Sequence, residues 1–332
     1  MTDAPKFLGV TRRTLLASFG TAAAMPIFDT FALAASGSAQ LAWTPGAATP
    51  QLAIGLRDKI WDQQGLTVEA TPFPTGREAL EALLNRGADF ASLAEFAVTT
   101  AAMRAQNFLV LATMSVFVGH RFFINAKSGA KNISSLGGRK VAATLGTNIQ
   151  FLADLVLDKA GVQVELVNVA PGDTVPALAR GDVDAAFMFD TFYPQARAVL
   201  KENAIEIMTP DYKGQFLIVA SREFASNNPG AVRLFLKGLL EADKMVAANK
   251  DDAVSAVSAS TGGNLAPQSV KEQWANYHYE VNLNADLIPL MLAEGKWINS
   301  RGLIQAKASE ELIRSYIDTK TLSELDGTRV RL

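Results

Sequence analysis

The sequence predicts an α/β protein built as two parts of similar design. Three observations carry that expectation. Strand-like and helix-like patterns alternate through most of the chain, as in sheets covered by helices. A length of 332 residues, 49% of them apolar, suits two domains and can fill two cores. A short motif also recurs. Leu84-Asn85-Arg86-Gly87-Ala88-Asp89-Phe90-Ala91 and Leu178-Ala179-Arg180-Gly181-Asp182-Val183-Asp184-Ala185-Ala186 both run from a helix through Arg-Gly to an Asp that opens a strand. Each copy follows a Pro- and Gly-containing turn, Pro74-Thr75-Gly76 in one and Ala170-Pro171-Gly172 in the other.

The elements follow in order. Leu41-Ala42-Trp43 is a short strand, and Pro50 to Gln64 has helix spacing through Leu52, Leu56, Ile60 and Trp61 before stopping at Gly65. Leu66 to Phe73 alternates apolar and polar residues, a strand. Gly76 to Asn85 presents Leu80, Leu83 and Leu84 as the buried stripe of a helix. Asp89 to Leu93 is a strand and Val98 to Ala105 a helix, while the apolar run Phe108 to Phe117 leads through Gly119 into a strand at Arg121 to Asn125. A new unit opens at Ile133 with a turn at Leu136-Gly137-Gly138, a strand at Lys140 to Ala143, and Gly146-Thr147-Asn148 leading into a helix that ends near Ala160-Gly161. Val162 to Val169 is a strand, Asp173 to Arg180 a helix and Val183 to Phe189 a strand. Gln215 to Ala220 is extended and apolar, like Phe122 to Ala126. From Asn228-Pro229 onward the chain is expected to be helical, most clearly at Ala231 to Asn249 and Ser309 to Lys320.

Composition removes several chemistries. With no cysteine there is no disulfide scaffold, thiol nucleophile, Cys-ligated zinc, iron–sulfur cluster or lipoprotein anchor. The two histidines, His120 and His278, lie far apart without metal-ligand spacing, so neither a metal nor any other cofactor is expected. Lys plus Arg number 31 against 33 Asp plus Glu, with no basic tract, which argues against nucleic acid as a partner. No G-x-S-x-G, G-x-x-x-x-G-K-[ST] or G-x-G-x-x-G motif occurs.

Residues 1–34 read as an export leader. Thr11-Arg12-Arg13-Thr14-Leu15-Leu16 opens an apolar, small-residue run to Ala24, and Ala32-Leu33-Ala34 provides a cleavage site. The paired arginines resemble the twin-arginine type. Pro26 and Asp29 interrupt the run, leaving it too short to span ~30 Å of hydrocarbon.

At this point the chain resembles bacterial ABC-transporter solute-binding proteins of the nitrate, taurine and aliphatic-sulfonate family. The residues that carry the likeness are Gly65-Leu66-Thr67-Val68-Glu69, Thr75-Gly76-Arg77-Glu78-Ala79-Leu80-Glu81-Ala82-Leu83 and Gly87-Ala88-Asp89-Phe90-Ala91. Leu136-Gly137-Gly138-Arg139-Lys140-Val141-Ala142, Gly146-Thr147 and Gly181-Asp182-Val183-Asp184-Ala185-Ala186 continue it. The resemblance implies a two-lobed periplasmic-binding-protein-like fold of type II, with a two-strand hinge near Phe122 and Phe216. Lobe one then comprises residues 35–122 and 217–332, and lobe two residues 123–216. It further implies a periplasmic monomer that captures a small polar solute in its cleft and delivers it to an ABC permease in the inner membrane.

Ligands of open α/β sheets sit beyond the carboxyl ends of strands, where loops enter helices. Trp43 and Thr44 follow the first strand, Gly76 and Arg77 the second, Glu95 the third, and Thr147 and Asn148 open lobe two. Each has a structural alternative: a core tryptophan, helix caps, a solvated first-turn arginine. Phe117 and His120 precede the first crossing and could line the cleft floor, and Asp190 ends Phe187-Met188-Phe189-Asp190. If Glu95 and Asp190 both face the ligand, an amine, amidine or zwitterion is favoured over a bare anion. Otherwise they cap helices or pair with Arg121 or Arg197. The competing readings are an exported enzyme and a solute sensor on the same fold.

Overall fold

The computed structural model describes residues 37–332; the leader expected at residues 1–34 lies outside the described residues. Eleven strands are described: β1 (Gly37–Trp43), β2 (Leu66–Pro72), β3 (Phe90–Ala94), β4 (Phe108–Phe117), β5 (Arg121–Asn125), β6 (Lys140–Ala143), β7 (Glu165–Asn168), β8 (Ala185–Phe187), β9 (Ala204–Met208), β10 (Gly214–Ser221) and β11 (Tyr277–Asn282). They form a six-stranded sheet in the order β11-β4-β10-β3-β1-β2 and a five-stranded sheet in the order β7-β6-β8-β5-β9. In the first, β1 runs parallel to β2 and β3, and β10 lies antiparallel beside β3. In the second, β6 runs parallel to β7 and β8, and β5 lies antiparallel beside β8. Both sheets therefore repeat one arrangement, and their helical cover makes the molecule a mixed α/β protein as expected.

The recurring motif has a physical basis. The Asp89 N–H donates to the Gln40 carbonyl at 2.8 Å while the Asp89 carboxylate accepts the Gln40 N–H at 2.8 Å. Asp184 does the same to Lys140, at 2.8 and 3.1 Å. Each aspartate thus pins the strand it opens to the central parallel strand beside it, which satisfies two backbone groups at once.

In each sheet one antiparallel strand beside the parallel set, β10 in the first and β5 in the second, arrives from the other sheet. β5 follows β4, and β10 follows β9, so the chain passes between the sheets at residues 118–120 and 209–213. These passages lie just before Phe122 and Phe216, near which the joins were expected, and both residues are interior ladder positions. Phe122 stands opposite Phe187 and Ile207, and Phe216 opposite Ala94 and Ser115.

The helices are α1 (Pro50–Arg57), α2 (Gly76–Leu84), α3 (Glu95–Met103), α4 (Asn148–Ala160), α5 (Thr174–Arg180), α6 (Tyr193–Leu200), α7 (Arg222–Asn227), α8 (Pro229–Ala248), α9 (Lys250–Ser260), α10 (Pro267–Trp274), α11 (Leu287–Ser300), α12 (Glu310–Arg314) and α13 (Lys320–Leu325). The C-terminal region is not all helical. β11 adds an antiparallel edge to β4, and the expected helix Ser309 to Lys320 is broken where Val110 of β4 bonds Tyr316 and Asp318. None of the described helices is long and apolar enough to cross a membrane.

The core of the six-stranded sheet centres on Trp61, Phe90 and Phe235, with Phe235 stacked on Phe90 at 4.0 Å and on Trp61 at 5.2 Å. The Trp61 indole donates to the Phe235 carbonyl at 2.9 Å. Gly238 of α8 gives it room: a Cβ there would stand 2.4 Å from the indole nitrogen. Gly238→Ala is expected to lower unfolding free energy by about 2 kcal/mol through overpacking. An unchanged urea midpoint would contradict this packing.

Candidate functional site

Several residues nominated from the sequence have structural employment. Thr75 and Glu78 form a reciprocal capping box, with Glu78 N–H on Thr75 Oγ1 at 3.3 Å and Thr75 N–H on the Glu78 carboxylate at 3.0 Å. Gly76 brings α2 close to β3, since a Cβ would meet the Leu93 Cβ at 2.7 Å. Arg77, its side chain 81% exposed, pairs with Glu81 at 3.0 Å one turn on. Gly76 thus packs α2 on β3, and Arg77 lies on the solvated face of α2. Trp43 is buried in the core of the six-stranded sheet, and its carbonyl accepts the Phe73 N–H at 2.8 Å. Thr147 caps α4, accepting the Ile149 N–H at 3.2 Å and donating to Thr144 at 2.6 Å.

The other nominated residues gather where the chain passes between the sheets. Phe117 ends β4, and His120 precedes β5. His120 stacks on Tyr212 at 4.6 Å and meets the edge of Phe117 at 4.5 Å. Phe117 lies 4.7 Å from Tyr277, which stacks on Tyr279 at 5.6 Å. An aromatic row therefore runs from the second passage, through the first, to the edge strand β11. The Tyr279 hydroxyl ties it to the loop after β1, donating to the Ala47 carbonyl at 2.8 Å. Thr44 in that loop donates its N–H to Ser92 at 3.2 Å, while its buried Oγ1 has no protein partner. The His120 Nε2 is likewise buried without one.

Glu95 does not face outward. It is fully buried at the first position of α3, where its carboxylate accepts the Tyr212 hydroxyl and, at 2.7 Å, the Gln215 N–H. Glu294 of α11, also fully buried, hydrogen-bonds Glu95 and accepts the Thr99 hydroxyl at 2.8 Å. Burial raises both carboxyl pKa values, and the Glu95 charge pushes Glu294 further up. Three donors make Glu95 the carboxylate of the pair, and Glu294 is the neutral acid that donates to it. The Glu95 oxygens are thus taken by protein donors. Burial, with a smaller push from Arg121, drives the His120 imidazole down to about 3 and keeps it neutral. Burial and the two glutamates hold Tyr212 far above its ordinary range as a phenol, with Asn148 of α4 against its hydroxyl.

Asp190 stands differently. It follows β8 of the five-stranded sheet, and its Oδ2 accepts the hydroxyl of Tyr277 from the six-stranded sheet at 2.7 Å. The bond bridges the two sheets. Burial raises the Asp190 pKa, and Arg121 opposes this only weakly. Neither expected partner is available: Arg121 pairs with Glu206 at 2.9 Å, and Arg197 donates to Glu206 at 2.8 Å.

Four participants were missed from the sequence. Tyr277 and Tyr279 lay in a region assigned to helix, and Tyr212 in a loop without a motif. Glu294 carried a readable signal: Leu287, Met291, Glu294 and Ile298 fall on one buried stripe of α11, so an acid occupies a core position.

Residues 61–253 match the NMT1/THI5-like family. The chain belongs to that family. Among relatives of this NMT1/THI5-like protein, a putative binding protein of Brucella abortus (strain 2308) is 25% identical over 209 residues, covering 61% of this chain and 64% of its own length. The taurine-binding periplasmic protein of Escherichia coli (strain K12) is 24% identical over 198 residues, 57% of this chain and 60% of its own length. The chain thus spans less than two thirds of the length of these curated relatives. In structure it is similar to the alkanesulfonate-binding protein SsuA from Xanthomonas axonopodis pv. citri bound to MOPS, with a TM-score of 0.69 and 19% identity over 86% of this chain and 99% of that one. The desulfurization enzyme DSZB shares the fold at a TM-score of 0.61 and 15% identity, over 88% and 100%. These likenesses establish the periplasmic-binding-protein-like fold of the NMT1/THI5-like chain.

Proposed function

We propose that the protein is the extracytoplasmic solute-binding component of an ABC importer. It captures a small polar organic solute between two lobes and presents the closed form to a membrane permease. The observation that carries this reading is the Asp190–Tyr277 bond, which joins the two sheets beside the aromatic row and two unpartnered buried polar atoms. Lobe one is built on the six-stranded sheet and lobe two on the five-stranded sheet, with the passages at residues 118–120 and 209–213 as the hinge. Relatives described as binding proteins support the role, and the leader expected at residues 1–34 supports twin-arginine export to the periplasm.

A binding role without catalysis is the favoured part of this reading, although the fold also serves an enzyme. His120 is buried, neutral and unpaired through Nε2, and exposed His278 makes no side-chain hydrogen bond among the described residues. Neither imidazole is arranged to activate a nucleophile.

The test is a thermal-shift screen of sulfonates, nitrate, amines, amino acids and pyrimidines against the purified protein. A true solute at a hundredfold excess over Kd adds about 2.7 kcal/mol to stability. A panel that leaves the melting temperature unmoved would sink the proposal.

A further inference from the structure

Granting the solute-binding reading, we infer that the solute carries a cationic N–H head group, an amine or amidine on a flat or apolar body, with Asp190 as its counter-charge. The first argument is one of charge. Among the described residues no ion pair or side-chain hydrogen bond joins Asp190 to a cation; its side-chain partner is the neutral Tyr277 hydroxyl. A half-buried carboxylate held only by neutral donors has no counter-charge in contact with it, and an arriving cation would supply one.

The second argument concerns anions. A sulfonate or nitrate head group is held best by a free guanidinium or ammonium. Arg121 and Arg197 are both committed to Glu206, and Arg77 lies exposed against Glu81. His120 is uncharged, and the first turn of α3 is filled by the Glu95 carboxylate. An anion placed beside Asp190 would meet repulsion instead.

The third argument concerns shape. Phe117, Tyr277 and Tyr279 form the row that holds the hydroxyl donor of Asp190, and aromatic faces attract both flat bodies and cations. Thr44 Oγ1 supplies an unpaired hydroxyl from the neighbouring loop. Glu95 takes no part, since its charge is spent on Tyr212, Gln215 and Glu294.

The experiment is isothermal titration calorimetry on the purified full chain with matched probes: benzamidine and benzylamine against benzenesulfonate, with ethanesulfonate, nitrate and taurine alongside. The expected result is that one of the two cations binds at least tenfold more tightly than benzenesulfonate, and that Asp190→Asn weakens that binding more than tenfold. Preferential binding of a sulfonate or nitrate overturns the cationic class while leaving solute binding intact. Equal cation affinity in Asp190→Asn overturns the counter-charge. Silence from every probe, confirmed in the broader thermal screen, overturns both readings. Should Asp190→Asn fail to fold, the cation-to-sulfonate ratio of the unaltered chain still decides the class.

Discussion

Glu95→Ala is expected to lower unfolding free energy by about 3–5 kcal/mol, because it strands several buried donors at about 1–3 kcal/mol each. The substitution strips the Tyr212 hydroxyl, the Gln215 N–H and the Glu294 proton of their shared acceptor, and none of the three is positioned to find water. Glu95→Gln keeps an acceptor oxygen and should lose less than half as much. Chemical denaturation of the two variants measures the difference. If alanine and glutamine cost the same, the carboxylate is not the hub of the network. Because Glu95 sits on α3, Glu294 on α11 and Tyr212 between β9 and β10, the loss should also loosen the passage between the sheets.

Stability should respond to acid with a loss of up to roughly 5 kcal/mol traceable to His120. In the unfolded chain this imidazole takes its proton near its ordinary value of 6.5, whereas the folded protein withholds it until about 3. The stability it contributes is complete above 6.5 and is surrendered progressively as pH falls to about 3. The Glu95–Glu294 pair has the opposite sign. Its pKa values are raised by burial, so its contribution is complete below the ordinary 4.5 and is lost as pH climbs through the raised values. Melting temperatures across this range should show His120→Gln flattening the acid limb and Glu294→Gln flattening the limb on the neutral side. An acid limb unchanged by His120→Gln would show that the imidazole is accessible to protons in the folded state.

The strands and helices read most clearly where one period dominated. The parallel strands and their helices, from β1 through α5, follow the expected order because Gly, Pro and capping residues punctuate an unmistakable alternation. β11 was not legible, since Tyr-His-Tyr-Glu-Val-Asn has no continuous apolar face and follows a helix directly. It is a strand because β4 offers an unpaired edge, a reason that exists only in three dimensions. β9 showed alternation in Ala-Ile-Glu-Ile-Met but lies on an edge, where the signal is shared with exposed loops. Phe117, His120 and Asp190, nominated from their place beside strand ends, come together where the chain passes between the sheets. Their partners Tyr212 and Tyr277 are 92 and 87 residues away in sequence, and no local pattern announces such pairings. For Arg77 and Gly76 the sequence leaves the choice open, because the start of a helix looks the same whether it faces a ligand, a neighbouring strand or water.

The exchange of strands between the sheets sets an order of assembly. The five-stranded sheet uses only residues 121–208, a continuous stretch that can close as soon as it is made. The six-stranded sheet cannot. β4 is flanked by β10 and β11, both of which follow the whole of the other sheet in the chain. Until residues 214–282 arrive, β4 has two bare edges and an apolar sequence, a state prone to pairing with another chain. The five-stranded sheet should therefore be the first to become native, and the six-stranded sheet must wait for the chain that follows it.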